Sequence, residues 1–178
     1  SKDLDLFYTV SDKAVGFNFL SYRPNDDEPG YFMALVSPKT ETKADEVIAK
    51  RVTFVVDTSG SMMGERIKLA RDSMRYCIQR LNSRDEFNVV RFSTDVEALF
   101  ETAQVADESH VKKALDFVSG FEASGGTAID EAMLRGLKDG ENRGTKPHIV
   151  MFITDGHPTV GATEEPEIAQ HAKAQNKA

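Results

Sequence analysis

Residues 52–64 read VTFVVDTSGSMMG, and the character of the chain changes in the middle of that stretch. Val52, Thr53, Phe54, Val55 and Val56 are residues that suit the interior of a sheet. They stop at Asp57, and two serines, Ser59 and Ser61, follow at alternate positions around Gly60. A buried strand that ends in three oxygen-bearing side chains delivers those oxygens to the rim of a sheet.

The same pattern returns once. HIVMFITDG, residues 148–156, is a second continuous apolar run that ends in aspartate, here Asp155. Runs without polar alternation are buried on both faces, as parallel strands between layers of helix are. Helical patterns separate the two. In residues 64–82, Ile67, Ala70, Met74, Cys77, Ile78 and Leu81 recur at spacings of three and four. Residues 109–121 carry Val111, Ala114, Leu115 and Val118 on one face, and residues 127–140 carry Ile129, Ala132, Met133 and Leu137 before stopping at Gly140. EFNVVRFS (86–93) and VEALFE (96–101) are short strands joined tightly enough for a hairpin. From Arg51 onward the chain therefore predicts an α/β domain with an open, mostly parallel sheet flanked by helices. The expected strand order is 96–101, 86–92, 51–57, 148–154, with only the hairpin strand antiparallel.

Residues 1–50 predict something different. LDLFYTVSD, AVGFNFLSYRP and GYFMALVSP read as three strands of an accessory antiparallel β segment lying outside the parallel sheet. RPNDDEPG is a turn-rich loop between the second and third, and KTETKADEVIAK is a charged linker. The alternating apolar faces of this segment need a covering layer.

The chain has 178 residues, of which 40% are hydrophobic and 29% charged, with a formal net charge of −7. Lys and Arg are not clustered, which excludes a general nucleic-acid or anionic-membrane binder. Cys77 is the single cysteine. It excludes an intrachain disulfide and a cysteine zinc cluster, leaves the compartment open, and sits on an apolar helical stripe as a buried, inert thiol. No apolar run reaches the length of a membrane helix, and SKDLDL has no signal-peptide core.

In open α/β sheets ligands collect outside the carboxyl ends of the strands. Asp57 and Asp155 are expected close together there, and neighbouring carboxylates repel unless a proton or cation lies between them. Ser59 and Ser61 turn toward the same point, and Thr127, after the turn-forming Gly125 and Gly126, opens a helix nearby. Two carboxylates and three hydroxyls, with no sulfur or imidazole, suit Mg²⁺, Mn²⁺ or Ca²⁺ rather than zinc. Met62 and Met63 lie beside this point, either as contacts for a partner or packed over the helix start. His157 is a rim contact or a general base, or more simply a solvated loop histidine. His110, His148 and His171 show no ligand spacing.

DTSGS, then GGT, then TDG, in this order and on these elements, resemble the metal-ion-dependent adhesion site of the von Willebrand factor type A domain. VVDTSGSMMGERI, FSTDVEALF, GGTAIDEAM and FITDGHPTVG are similar in particular to the inter-alpha-trypsin inhibitor heavy chain group and its bacterial relatives, as is GYFMALVSP shortly before. The resemblance covers residues 51 to about 175. It implies a Rossmann-like fold with Ser59, Ser61 and Thr127 as direct metal ligands, and Asp57 and Asp155 bound directly or through water. Met62, Gly126 and His157 would form the ligand-binding rim, and an Asp or Glu carboxylate of a partner protein would fill one open coordination position. It also implies an extracellular, cell-surface or periplasmic location. The family pattern continues beyond FITDGHPTVG with further strands and helices, whereas EPEIAQHAKAQNKA reads as one helix. The expectation is a domain incomplete at its C-terminus, occupying residues 51–178.

The function expected is a non-enzymatic, cation-dependent protein-binding domain, because no nucleophile, catalytic histidine or phosphate loop accompanies the oxygens. A metal-dependent phosphoester hydrolase is the alternative, since aspartates at strand ends with Mg²⁺ also equip phosphatases. A purely structural module would follow if backbone amides alone engaged both aspartates.

Overall fold

The computed structural model describes residues 15–22, 30–38, 47–141 and 144–176. The chain divides into two compact units between Val47 and Ile48. In the first, β1 (Val15–Tyr22) and β2 (Tyr31–Pro38) form an antiparallel pair running from Val15 opposite Pro38 to Tyr22 opposite Tyr31. These are the second and third predicted strands. The first, within residues 4–12, and most of the turn and linker fall outside the described residues. Phe19 stacks on Phe17 and on Phe32, with ring centroids 6.4 and 5.5 Å apart. Leu20, Tyr22, Tyr31 and Met33, on the opposite face of the pair, are exposed, as are Phe17, Phe19 and Phe32.

The second unit is built on β3 (Arg51–Asp57), β4 (Glu86–Phe92), β5 (Val96–Ala98), β6 (Gln104–Val105) and β7 (His148–Ile153). The sheet order is β5-β4-β3-β7, with β3 parallel to both β4 and β7 and β5 antiparallel to β4. β6 adds a second antiparallel strand on β4, where one was expected. The cause is Asn88, which is fully buried in β4. Its side-chain oxygen accepts from the Phe100 amide at 3.1 Å, and its amide donates to the Phe100 carbonyl at 2.9 Å. A side chain thus takes over the backbone groups of Phe100, so the strand expected over 96–101 ends at Ala98 and the chain returns as β6.

Helices cover both faces. Helix α1 (Glu65–Ile78) and α2 (Glu108–Ser119) bury Ile67, Ala70, Met74, Ile78, Ala114 and Val118 against Val52, Phe54, Val56, Phe87 and Val89. Asp107 caps α2 by accepting from the His110 amide at 2.9 Å. Cys77 is half-buried against this core. On the opposite face Val55, Val90 and Phe92 meet α3 (Ile129–Lys138). The face that α3 buries is rotated from the expected one. Ala132 and Gly136 are buried while Met133 and Leu137 are half-buried, because a side chain at Gly136 would come within 2.8 Å of Val55. Helix α4 (Glu165–Gln175) packs against α3 and presents no fully buried residue. Among the described residues β7 pairs only with β3, and Ile149 and Met151 on it are exposed.

Candidate metal centre

Parallel register fixes what stands at the carboxyl end of the sheet. Val56 lies opposite Ile153, so the next pair in line is Asp57 with Thr154, and Asp155 is one residue further on. Asp57 is completely buried. Its Oδ1 accepts from the Ser59 amide at 2.7 Å, and its Oδ2 accepts from the Thr154 hydroxyl at 2.6 Å. Asp57 thus anchors the loop that carries Ser59, which is buried, and Ser61, which is exposed. The Ser59 and Ser61 hydroxyls are 2.9 Å apart, and the Ser61 hydroxyl donates to Asp155 Oδ1 at 2.7 Å. The hydroxyl run ends on Asp155, and Asp57 joins it only through the Ser59 backbone amide. The donors to the two aspartates are an amide, two hydroxyls and a guanidinium, so backbone amides alone do not account for them.

Thr127 arrives from the loop between α2 and α3, which is stitched to both neighbouring loops. The Ser124 amide donates to the Thr58 carbonyl at 2.8 Å and the Gly60 amide to the Gly125 carbonyl at 3.0 Å. The Gly126 amide donates to the Thr94 hydroxyl at 2.9 Å, and the Ala128 amide to the Ser93 carbonyl at 2.8 Å. Gly125 has φ of 78°, and a side chain there would lie 2.7 Å from the Thr94 hydroxyl, so the turn requires glycine on both counts. From the other side, the Thr127 amide donates to the Thr159 hydroxyl at 2.9 Å, while the Thr159 and Val160 amides donate to the Thr127 carbonyl at 3.0 and 3.3 Å. Val160 closes over Gly126 so tightly that a side chain on Gly126 would come within 2.6 Å of it.

The convergence is sharpest at Gly156. A Cβ there would sit 3.5 Å from the Ser61 hydroxyl and 3.9 Å from the Thr127 hydroxyl, so the missing side chain leaves a cradle with hydroxyls from two loops on its walls. The donors around it are all hard oxygens, the chemistry that suits a small divalent cation. Among the described residues no group of three or more His, Cys, Asp or Glu side chains could hold a metal. A cation held at this rim would draw on the Ser59, Ser61 and Thr127 hydroxyls with the Asp57 and Asp155 carboxylates, a hard-oxygen set whose chemistry fits a small divalent ion.

Electrostatics supports an ionised Asp155. Its carboxyl is held below the usual carboxylate range by the Ser61 hydroxyl bond first, then by the Arg66 guanidinium, against an opposing push from burial. Arg66 was not legible as a site residue, and neither were Thr94, Thr154 and Thr159. Each lies within or beside a motif whose neighbours carried the recognised chemistry.

Met62 does not belong to the rim. It is 3% exposed and packs into the core beneath the loop, while Met63 is 69% exposed. Met62 closes the short 3₁₀ turn Gly60–Met62, whereas Met63 leaves it in extended backbone, so the two adjacent side chains diverge. Gly126 lies at the site through its backbone. His157 is exposed on the loop after Asp155.

A family model described as the von Willebrand factor type A domain matches residues 52–177. Inter-alpha-trypsin inhibitor heavy chain H4 from Homo sapiens is 33% identical over 153 residues, covering 82% of this chain and 16% of that protein. The chain thus spans about a sixth of that relative's length. Among solved structures, a von Willebrand factor type A protein from Catenulispora acidiphila aligns with a TM-score of 0.66 at 17% identity, over 91% of this chain and 34% of its own. The PilB minor pilin from Streptococcus sanguinis aligns at 0.57 and 15% identity, over 81% and 47%.

Proposed function

The chain belongs to the von Willebrand factor type A domain family, and we propose that it is a non-enzymatic protein-binding domain whose capture of a partner depends on a divalent cation. The observation that carries this reading is that the Ser61 and Thr127 hydroxyls both border the position a Gly156 side chain would fill, while Ser61 also reaches the Ser59 hydroxyl and Asp155, with Asp57 buried nearby. Ser59, Ser61 and Thr127 would hold the ion by neutral oxygens, and Asp57 and Asp155 would supply the negative charge. Mg²⁺ is the ion that this donor set suits, with Mn²⁺ or Ca²⁺ as substitutes. Bound there, the ion would supply a Lewis-acidic position for an Asp or Glu carboxylate of the partner. The three hydroxyls that would touch the ion are neutral, so an anionic visitor would add to the ion's coordination both a bond and a charge that these ligands lack. An extracellular, cell-surface or periplasmic location accords with likeness to inter-alpha-trypsin inhibitor heavy chains and to a pilin. No described helix is long and apolar enough to cross a membrane.

The test is retention of the protein on an immobilised peptide carrying one aspartate, with Mg²⁺ and then with chelator. Retention is expected with Mg²⁺ alone, and Thr127→Ala should lower it more than it lowers the unfolding midpoint. Retention that survives chelation would contradict the reading. Hydrolysis of an aryl phosphate by the Mg²⁺-supplied protein would replace it with the hydrolase alternative.

A further inference from the structure

Arg66 stands in the first turn of α1, directly after the serine loop, with 62% of its side chain exposed. One guanidinium nitrogen donates both to the Ser61 carbonyl, at 3.0 Å, and to Asp155 Oδ2. The other Asp155 oxygen already accepts from the Ser61 hydroxyl at 2.7 Å. Asp155 therefore has a donor on each oxygen, and its side chain is 19% exposed. A single arginine thus brackets two of the residues that the proposed function gives to a cation.

We infer that Arg66 lowers the affinity of this site for divalent cations by keeping a permanent positive charge beside Asp155 Oδ2. The inference rests on the reading of the site given above. Arg66 acts on a cation in two opposing ways. By ordering Asp155 it favours binding, and by its charge it opposes it. The Ser61 hydroxyl fixes Asp155 through the other oxygen, so the ordering is largely redundant. The charge is not, because no anionic side chain other than Asp155 is bonded to Arg66 in the described structure. Repulsion between a dication and a unit charge at neighbouring positions on a partly exposed rim shifts an equilibrium by roughly three- to tenfold. Arginine keeps its charge at every accessible pH, so it weakens the site constantly rather than switching it.

The experiment is a Mn²⁺ titration of the full chain at low ionic strength, read as free Mn²⁺ by electron paramagnetic resonance, for wild type, Arg66→Gln and Arg66→Lys. Arg66→Gln should bind Mn²⁺ about three- to tenfold more tightly. That advantage should shrink in ~0.5 M salt, where an exposed charge is screened. Arg66→Lys should stay within about twofold of wild type, since it keeps the charge. Equal or weaker binding by Arg66→Gln, with the unfolding midpoint unchanged, would overturn the inference while leaving the cation site standing. Arg66→Lys behaving like Arg66→Gln would overturn it too, because bridging rather than charge would then be the cause. A wild type that takes up no Mn²⁺ would bring down the site itself and this inference with it.

Discussion

Asp57 is the residue on which the rest of the rim depends, and Thr154 is the residue that holds it. A fully buried carboxylate is costly unless its lone pairs are met, and the Thr154 hydroxyl at 2.6 Å meets the one that the Ser59 amide does not reach. Thr154→Val keeps the shape and removes the donor. It should cost about 1–3 kcal/mol in urea unfolding and weaken Mn²⁺ binding, whereas Thr154→Ser should retain most of both. Stability equal to wild type in the valine variant would mean that Asp57 is satisfied some other way. At this scale the candidate residues were readable, because Asp57 and Asp155 end apolar runs and Ser59, Ser61 and Thr127 stand in motifs that resemble those of the family. Their supports were not. Thr154 acts by standing opposite Asp57 across a parallel pair, and register is a property of two segments 97 residues apart that neither reveals alone. Met62 failed for a related reason, since a three-residue turn decides which of two adjacent methionines goes inside.

Among the elements, α3 carries Thr127 at its head and is held to the sheet by close approach rather than by bulky side chains. Gly136 lies where a methyl group would meet Val55 at 2.8 Å and Val150 at 3.2 Å. Gly136→Ala should therefore destabilise by about 1–3 kcal/mol through overpacking, in spite of the better helix propensity of alanine. Chemical denaturation measures this, and a stabilised variant would show that the helix is free to shift outward. Helices α1 and α2 were legible because Ile67, Ala70, Met74, Ile78, Ala114 and Val118 mark their inner faces with apolar side chains. Ala132 was expected on the inner face of α3 and is buried there, but its partner Gly136 carries no hydrophobic signal, so the pattern added Met133 and Leu137 in its place. The hairpin strand was read three residues too long for a comparable reason. Asn88 looked like an ordinary position in an apolar strand, yet its side chain replaces the ladder at Phe100.

For the molecule as a whole, the two ends of the sheet divide the labour. The carboxyl end carries the candidate site, and the amino end carries ion pairs that tie the strands together. Burial pushes the Asp85 carboxyl up, but the Lys50 ammonium and amide with the Asn82 amide pull it below its ordinary value. Burial pushes Glu86 up likewise, and Lys146 and Arg51 pull it down. Both folded-state values lie below the unfolded ones, so their contribution is present above about pH 4 and is lost as pH falls through the folded values. The urea midpoint should be level near neutrality and drop below about pH 4, with a shallower drop in Asp85→Asn. A midpoint indifferent to acid would mean that these pairs contribute nothing. The central claim is that Ser59, Ser61, Thr127 and Asp155 hold a divalent cation, with Asp57 behind them. It is tested most directly by adding substoichiometric Mn²⁺ to isotope-labelled protein and recording which amide signals broaden. The amides of Ser59, Ser61, Thr127 and Gly156 should vanish first in wild type and persist in Asp57→Ala. Broadening centred elsewhere, or unchanged by Asp57→Ala, would contradict the account.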